Sequence, residues 1–241
     1  IAGDYIYKFS PSLPFQVEMA MMTLAVVFAL MLQEPKRHKR IVKHHPFKDM
    51  KDTVVYVLSG HRDIAVMIFL MTLLFSTTKI CMWALQAYTT ILSFPESWNG
   101  WIIASVMMLG AISGHFSHRI FPKLSGRHTL YAMLGLLSIS MAVAGYLLSP
   151  IGLILIGLEG FAYGFAAPRV QESLNQMADS GRRATILSTA NLTTSIGFIP
   201  FSQIVGAATD HYDIGTALIT HAIILMILAV LAAFFIERKK A

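Results

Sequence analysis

Seven separate stretches of this 241-residue chain are long and apolar enough to cross a bilayer, and the basic residues between them fall on alternate sides. The stretches cover residues 14–32, 64–89, 100–121, 128–148, 151–170, 185–207 and 214–236. Each is near or above the ~20 residues that a ~30 Å hydrocarbon core requires of an α-helix. Lys36, Arg37, Lys39, Arg40, Lys43, Lys48, Lys51 and Arg62 lie between the first and second stretches. The next connection, 92–99, has no Lys or Arg; the one after carries Arg119, Lys123 and Arg127. The turn at Ser149 and Pro150 is bare, then come Arg169, Arg182 and Arg183, a bare connection at 208–213, and finally Arg238, Lys239 and Lys240. All the lysines and arginines except Lys8 and Lys79 therefore share one side, which the positive-inside rule makes the cytoplasm. The expected fold is an all-α, polytopic membrane protein of seven transmembrane helices, N-terminus outside and C-terminus inside.

Composition agrees: 55% of residues are hydrophobic and 13% charged, values that belong to membrane proteins. A net charge of +6 would suggest nucleic acid in a soluble protein. Here the charge is spread over the loops of one face, so anionic lipid headgroups account for it and no nucleic-acid partner is expected. Cys81 is the single cysteine and lies inside a span, which excludes an internal disulfide. The chain starts at Ile1 without an initiator Met, signal peptide or basic leader, so an upstream portion is expected.

Three regions follow from the spacing. Residues 1–32 hold an outer segment and one helix, 33–63 form a long cytoplasmic loop, and 64–241 hold six helices. Phe47, Met50, Val54 and Val57 recur at helical spacing in the loop, which predicts a short amphipathic helix on the membrane surface. The six later spans repeat an order. The second and fifth carry ionisable and aromatic groups. The third and sixth carry small residues, Gly110 and Gly114 in one, Ser188, Ala190, Thr193, Thr194, Ser195 and Gly197 in the other. The fourth and seventh are mostly aliphatic. A weak three-span repeat of this kind is the signature of transporter halves built from inverted repeats.

Lys79 stands ~15 residues, or ~22 Å, from the inner end of its span. A charge at that depth costs at least ~2.5–3.5 kcal/mol on insertion scales and so should face a cavity or a partner. Trp83 and Gln86 follow at i+4 and i+7 on the same face. Glu159 lies at similar depth in the fifth span and is the natural counter-charge, either as a static ion pair or as a carboxylate that takes up and releases a proton. Tyr163 shares its face, and Gly160 with Gly164 offers a second, small-residue face for close helix packing. Glu18 is near an outer helix end, and His221 reads more simply as a satisfied buried histidine than as a proton relay. The pairs His115/His118 and His44/His45 lack the Cys or carboxylate company of a zinc site. No metal or cofactor is expected. The lack of a nucleophile–base pair, phosphate loop or HExxH sequence weighs against an enzyme.

The loops of the basic face carry a sharper pattern. Gly114, His118 and Arg119 close the third span, and Gly126 with Arg127 opens the fourth. Arg182, Arg183, Ala184, Thr185, Leu187 and Ser188 lead into the sixth, and Glu34-Pro35 follows the first. At these positions the chain resembles the C-terminal half of the major facilitator superfamily, from helix six to helix twelve. The resemblance implies a C-terminal six-helix bundle, alternating access and a missing N-terminal half as partner. It assigns Lys79, Trp83, Gln86, Glu159 and Tyr163 to the substrate cavity, and Gly114, His118, Arg119, Gly126, Arg127, Arg182 and Arg183 to the cytoplasmic gate. His118 stands where that family's loop pattern has Asp, and Glu172 or Asp179 is a candidate to supply the acid. The resemblance also sets Gly110, Gly114 and the small residues of 188–197 against the other half.

The resulting expectation is a secondary active transporter of the inner membrane, proton-coupled through Glu159, moving a small organic solute or drug, with export by antiport ahead of anion uptake. The rival is a seven-helix receptor or photoreceptor, which matches the topology. Its last span, however, offers His221 and no interior lysine for a Schiff base.

Overall fold

The computed structural model describes residues 6–7, 9–32, 55, 61–120, 123–179 and 183–237. Among them lie seven long helices and no strands. They are α1 (Leu13–Met31), α2 (Arg62–Ile91), α3 (Asn99–Ile120), α4 (Gly126–Leu147), α5 (Pro150–Met177), α6 (Arg183–His211) and α7 (Ile214–Glu237). All seven expected spans are present as helices. The surface helix expected around Phe47 to Val57 falls almost wholly outside the described residues.

Helices are the available solution because a bilayer core offers no water to backbone N–H and C=O groups. Six of the seven are long and apolar enough to span. The one below that level is α6, whose Thr185, Ser188, Thr189, Thr193, Thr194 and Ser195 dilute its apolar surface. Several of these hydroxyls are quieted locally: Thr193, Thr194 and Ser195 donate to the carbonyls of Thr189, Ala190 and Asn191, four residues back.

Helix ends obey local chemistry. Pro150 sits in the first turn of α5, where its missing N–H costs nothing. Ser125 caps α4, its hydroxyl accepting from the His128 N–H at 3.4 Å. Leu148 ends α4 with φ 40°, and the chain reverses at once into Ser149-Pro150. Tyr88 of α2 secures that reversal. Its hydroxyl donates to the Ala144 carbonyl at 2.9 Å and accepts from the Ser149 N–H at 3.0 Å.

α2 is the most deeply embedded helix and belongs to both hydrophobic clusters. Its first half (Ile64, Leu70, Leu74) meets Leu130, Leu134 and Leu137 of α4 and Phe165 of α5. Its second half (Ile80, Leu85, Tyr88) meets Met141 and Ala144 of α4 and Leu218 and Ala222 of α7. The packing is swapped between three-helix units: α3 lies mainly on α5, α6 lies mainly on α2, and α4 crosses α7. The second helix of each three-helix group thus lies on the first helix of the other. α1 has no buried residue and makes no extensive contact with the bundle.

Candidate functional site

A cavity of about 540 Å³ opens between α2, α3 and α5. α2 contributes Lys79 and Trp83, and α5 contributes Glu159 and Tyr163. Residues four apart on a helix share a face, so each pair projects to the same side. Met107 of α3 closes the third wall, and Gly110, Gly160 and Gly164 line the floor. Gln86, expected with them, is not among the lining residues; it is exposed one turn further out, with its carbonyl accepting from the Thr89 and Thr90 hydroxyls.

The floor exists because α3 and α5 touch through their backbones. A Cβ on Gly110 would stand 2.9 Å from the Gly160 carbonyl oxygen, and one on Gly114 would stand 3.1 Å from that of Gly164. A Cβ on Gly164 would in turn run into the Gly110 carbonyl. The Ser113 hydroxyl bridges the seam to the Phe161 carbonyl at 3.0 Å. This corrects the expectation that Gly110 and Gly114 face another half. Their small surface is consumed inside the bundle, and Gly114 serves this seam.

The second correction concerns the expected pairing of Lys79 with Glu159. Glu159 is 3% exposed, and its Oε1 has no hydrogen-bond partner among the described residues. Lys79 does not pair with it. The ammonium lies 5.5 Å from the centroid of the Phe198 ring on α6, and Trp83 meets the same ring edge-on at 5.7 Å. Equal depth placed the two charges at one level, but the Lys79 side chain turns to the aromatic wall. Tyr163, across the cavity, packs on Phe75 at 5.1 Å.

The basic-loop face holds the remaining expected residues. Arg127 Nη2 donates to Asp63 Oδ1 at 2.6 Å, joining the starts of α4 and α2. Gly126 is buried where a Cβ would press on Ser173 and Met67. His118 Nδ1 lies 3.7 Å from Glu172 Oε2, a contact that becomes an ion pair when the imidazole is protonated. Arg119 lies over the Phe116 ring at 5.9 Å, Arg183 is exposed at the first turn of α6, and Arg182 lies outside the described residues.

Arg169, read from the sequence as one more cation of the basic loops, is instead buried. It is 3% exposed, donates to the Ser117 and Leu124 carbonyls, and lies 5.1 Å from the Phe165 ring. A cation there meets the unsatisfied carbonyls at the C-terminal end of α3. The available signal was an arginine directly behind Pro168, still on the helix that carries Glu159. No cluster of three or more His, Cys, Asp or Glu suited to a metal occurs among the described residues.

The sequence profile described as Major Facilitator Superfamily matches residues 1–202, which run through most of α6. The chain belongs to the major facilitator superfamily. It is a multi-pass membrane protein of a transporter family. No curated protein and no solved structure matches the chain.

Proposed function

We propose that this chain is the cavity-bearing bundle of a proton-coupled secondary transporter for a small organic solute, with Glu159 as the coupling group. The single observation that supports this is the Glu159 carboxylate, buried at the cavity with an oxygen left without a partner. An ionised carboxylate so placed is costly unless a proton or a cationic group neutralises it. Occupancy of the cavity and protonation of Glu159 are then linked, and alternating access turns that linkage into coupled movement. The exposed faces of α1 and α6 would pack on a second bundle, closing the cavity's open side. The protein would sit in an inner membrane with its basic loops and C-terminus cytoplasmic. A cysteine at Glu96 should then react with an impermeant thiol reagent from outside, and one at Ser125 should not; the reverse pattern would overturn the orientation.

The coupling is tested with the full-length protein in proteoliposomes. A pH gradient should drive solute accumulation by the wild type, and Glu159→Gln should lose gradient-driven accumulation while keeping solute exchange once the solute is saturating. Undiminished gradient-driven accumulation by Glu159→Gln would remove Glu159 from the coupling role.

A further inference from the structure

The cavity holds two opposite charges that the fold keeps apart. Glu159 on α5 and Lys79 on α2 both line it, yet no ion pair joins them among the described residues. Their surroundings differ. Glu159 is buried and keeps an oxygen without a partner. Lys79 is exposed, and among the described residues its ammonium is held by the Phe198 ring alone, at 5.5 Å. A cation–π contact at an exposed site is worth only ~0.5–1 kcal/mol, so an arriving carboxylate can replace it. A direct Lys79–Glu159 bridge would instead have consumed both charges.

The kinds of solute can be compared on charge alone. A purely cationic solute satisfies Glu159 and is repelled by Lys79. A purely anionic one satisfies Lys79 and is repelled by Glu159. A neutral one leaves the buried carboxylate unanswered. A solute carrying both charges satisfies both walls and leaves no like-charge contact. The rest of the lining sets its body: Trp83, Tyr163 and Met107 are large and apolar, and the glycine floor adds depth. A volume of about 540 Å³ falls in the ~300–1,000 Å³ range of small-molecule pockets.

We propose that the cavity selects a zwitterionic solute with an aromatic or bulky apolar body, Glu159 receiving its ammonium and Lys79 its carboxylate. The proposal rests on reading this cavity as the substrate site. It adds a role for Lys79 that coupling through Glu159 does not need.

Three radiolabelled probes share one indole body and differ in charge at pH 7: tryptophan as the zwitterion, tryptamine as the cation, indole-3-propionate as the anion. Each is measured on the full-length protein twice, for binding in detergent and for counterflow in proteoliposomes. Tryptophan should bind at least about tenfold more tightly than either of the others, since a hydrogen bond to a charged group is worth ~1.5–3 kcal/mol. Lys79→Met should reduce tryptophan binding about tenfold, to the level of tryptamine, and leave tryptamine undiminished. Glu159→Gln should reduce tryptophan to the level of indole-3-propionate. Tryptamine equal to tryptophan in the wild type would overturn the proposal, as would unchanged tryptophan binding in Lys79→Met. So would the absence of binding by all three probes to monodisperse protein at millimolar concentration. Counterflow without charge preference would sink the zwitterion inference and leave the transporter reading standing. Zwitterion-selective binding without counterflow would support the inference and defeat the transporter reading.

Discussion

The two equivalent helix seams of the bundle, α3 on α5 and α6 on α2, are built with different chemistry. At the first, Gly110, Gly114, Gly160 and Gly164 bring backbone against backbone, leaving no room for a Cβ at Gly110, Gly160 or Gly164. At the second, Gly197 meets the Thr72 side chain, and Ser76 donates to the Thr194 carbonyl at 3.3 Å. Beside it Thr77 Oγ1 lies 3.0 Å from His221 Nε2 of α7. Equivalent placement in a repeat does not dictate how the contact is made. Lipid supplies no hydrophobic drive between helices, so packing or hydrogen bonds must supply it; backbone packing with one Ser113 bond dominates the first seam, and a side-chain bond beside a single glycine marks the second. The glycine seam sits under the cavity that holds Glu159. The hydroxyl seam joins α2 to α6, whose Phe198 ring lies 5.5 Å from the Lys79 ammonium.

The contrast breaks most easily at the glycine seam. Gly164→Leu would drive a side chain into the Gly110 carbonyl and the Ser113 hydroxyl and also fill the cavity floor. Overpacking of this kind costs ~1–3 kcal/mol and more where backbone must move. The upper end, about 3 kcal/mol, is expected here because both opposing groups are on a rigid helix. Gly135→Leu is the control, since a Cβ there meets nothing within 4 Å and should change stability little. Thermal unfolding in detergent compares them, and equal midpoints for the two variants would mean that the seam is not tight.

The hydroxyl seam should yield in smaller steps. Thr77→Val leaves His221 Nε2 without its partner in a fully buried ring, and His221 Nδ1 already has none among the described residues. An orphaned buried polar group costs ~1–3 kcal/mol. Ser76→Ala removes a longer bond and should cost about 0.6 kcal/mol, the mean for hydrogen bonds between membrane helices. The double variant Thr77→Val with His221→Leu should recover most of the first loss, because no polar group is then left unpaired. If it is as unstable as Thr77→Val alone, the pair is not what holds α2 to α7.

How much of this was legible beforehand depends on which coordinate is asked for. Position along the chain was legible: hydropathy located every long helix among the described residues, and counting residues put Lys79 and Glu159 on helices that line one cavity. Extent was less so. α5 runs on to Met177, seven residues past its apolar stretch, because a helix need not end where hydrocarbon does. Azimuth was legible only in part: Lys79, Trp83, Glu159 and Tyr163 do line one cavity, but which group each meets was not. A Gly-x-x-x-Gly spacing announces a close approach but not its partner, so Gly110 and Gly114 were assigned outward when they face Gly160 and Gly164. The same blindness paired Lys79 with Glu159, where a rotation about α2 and the ring of Phe198 decide otherwise. Arg169 was visible as a loop cation but its buried role was not, because its partners include backbone carbonyls, which no side-chain pattern reveals.

The smallest expected effect lies outside both seams and tests whether their penalties are specific. Asp213, directly before α7, accepts from the Thr216 N–H at 2.8 Å and from its hydroxyl at 2.9 Å, the arrangement that satisfies a first-turn donor. These bonds hold the carboxyl below its ordinary range, and its closeness to the positive helix end acts in the same direction. A carboxylate depressed in the folded state stabilises above its unfolded pKa of ~3.9 and loses that contribution as pH falls through the folded value. Asp213→Ala should therefore lower the unfolding midpoint slightly at neutral pH, and the gap from wild type should close as pH drops below the ordinary aspartate range. Asp213→Asn keeps an acceptor and should fall between them. Gly164→Leu is penalised by steric overlap, which has no proton to lose, so its deficit should persist across the same titration. A pH-independent Asp213→Ala deficit would show that the capping charge is not what stabilises the start of α7.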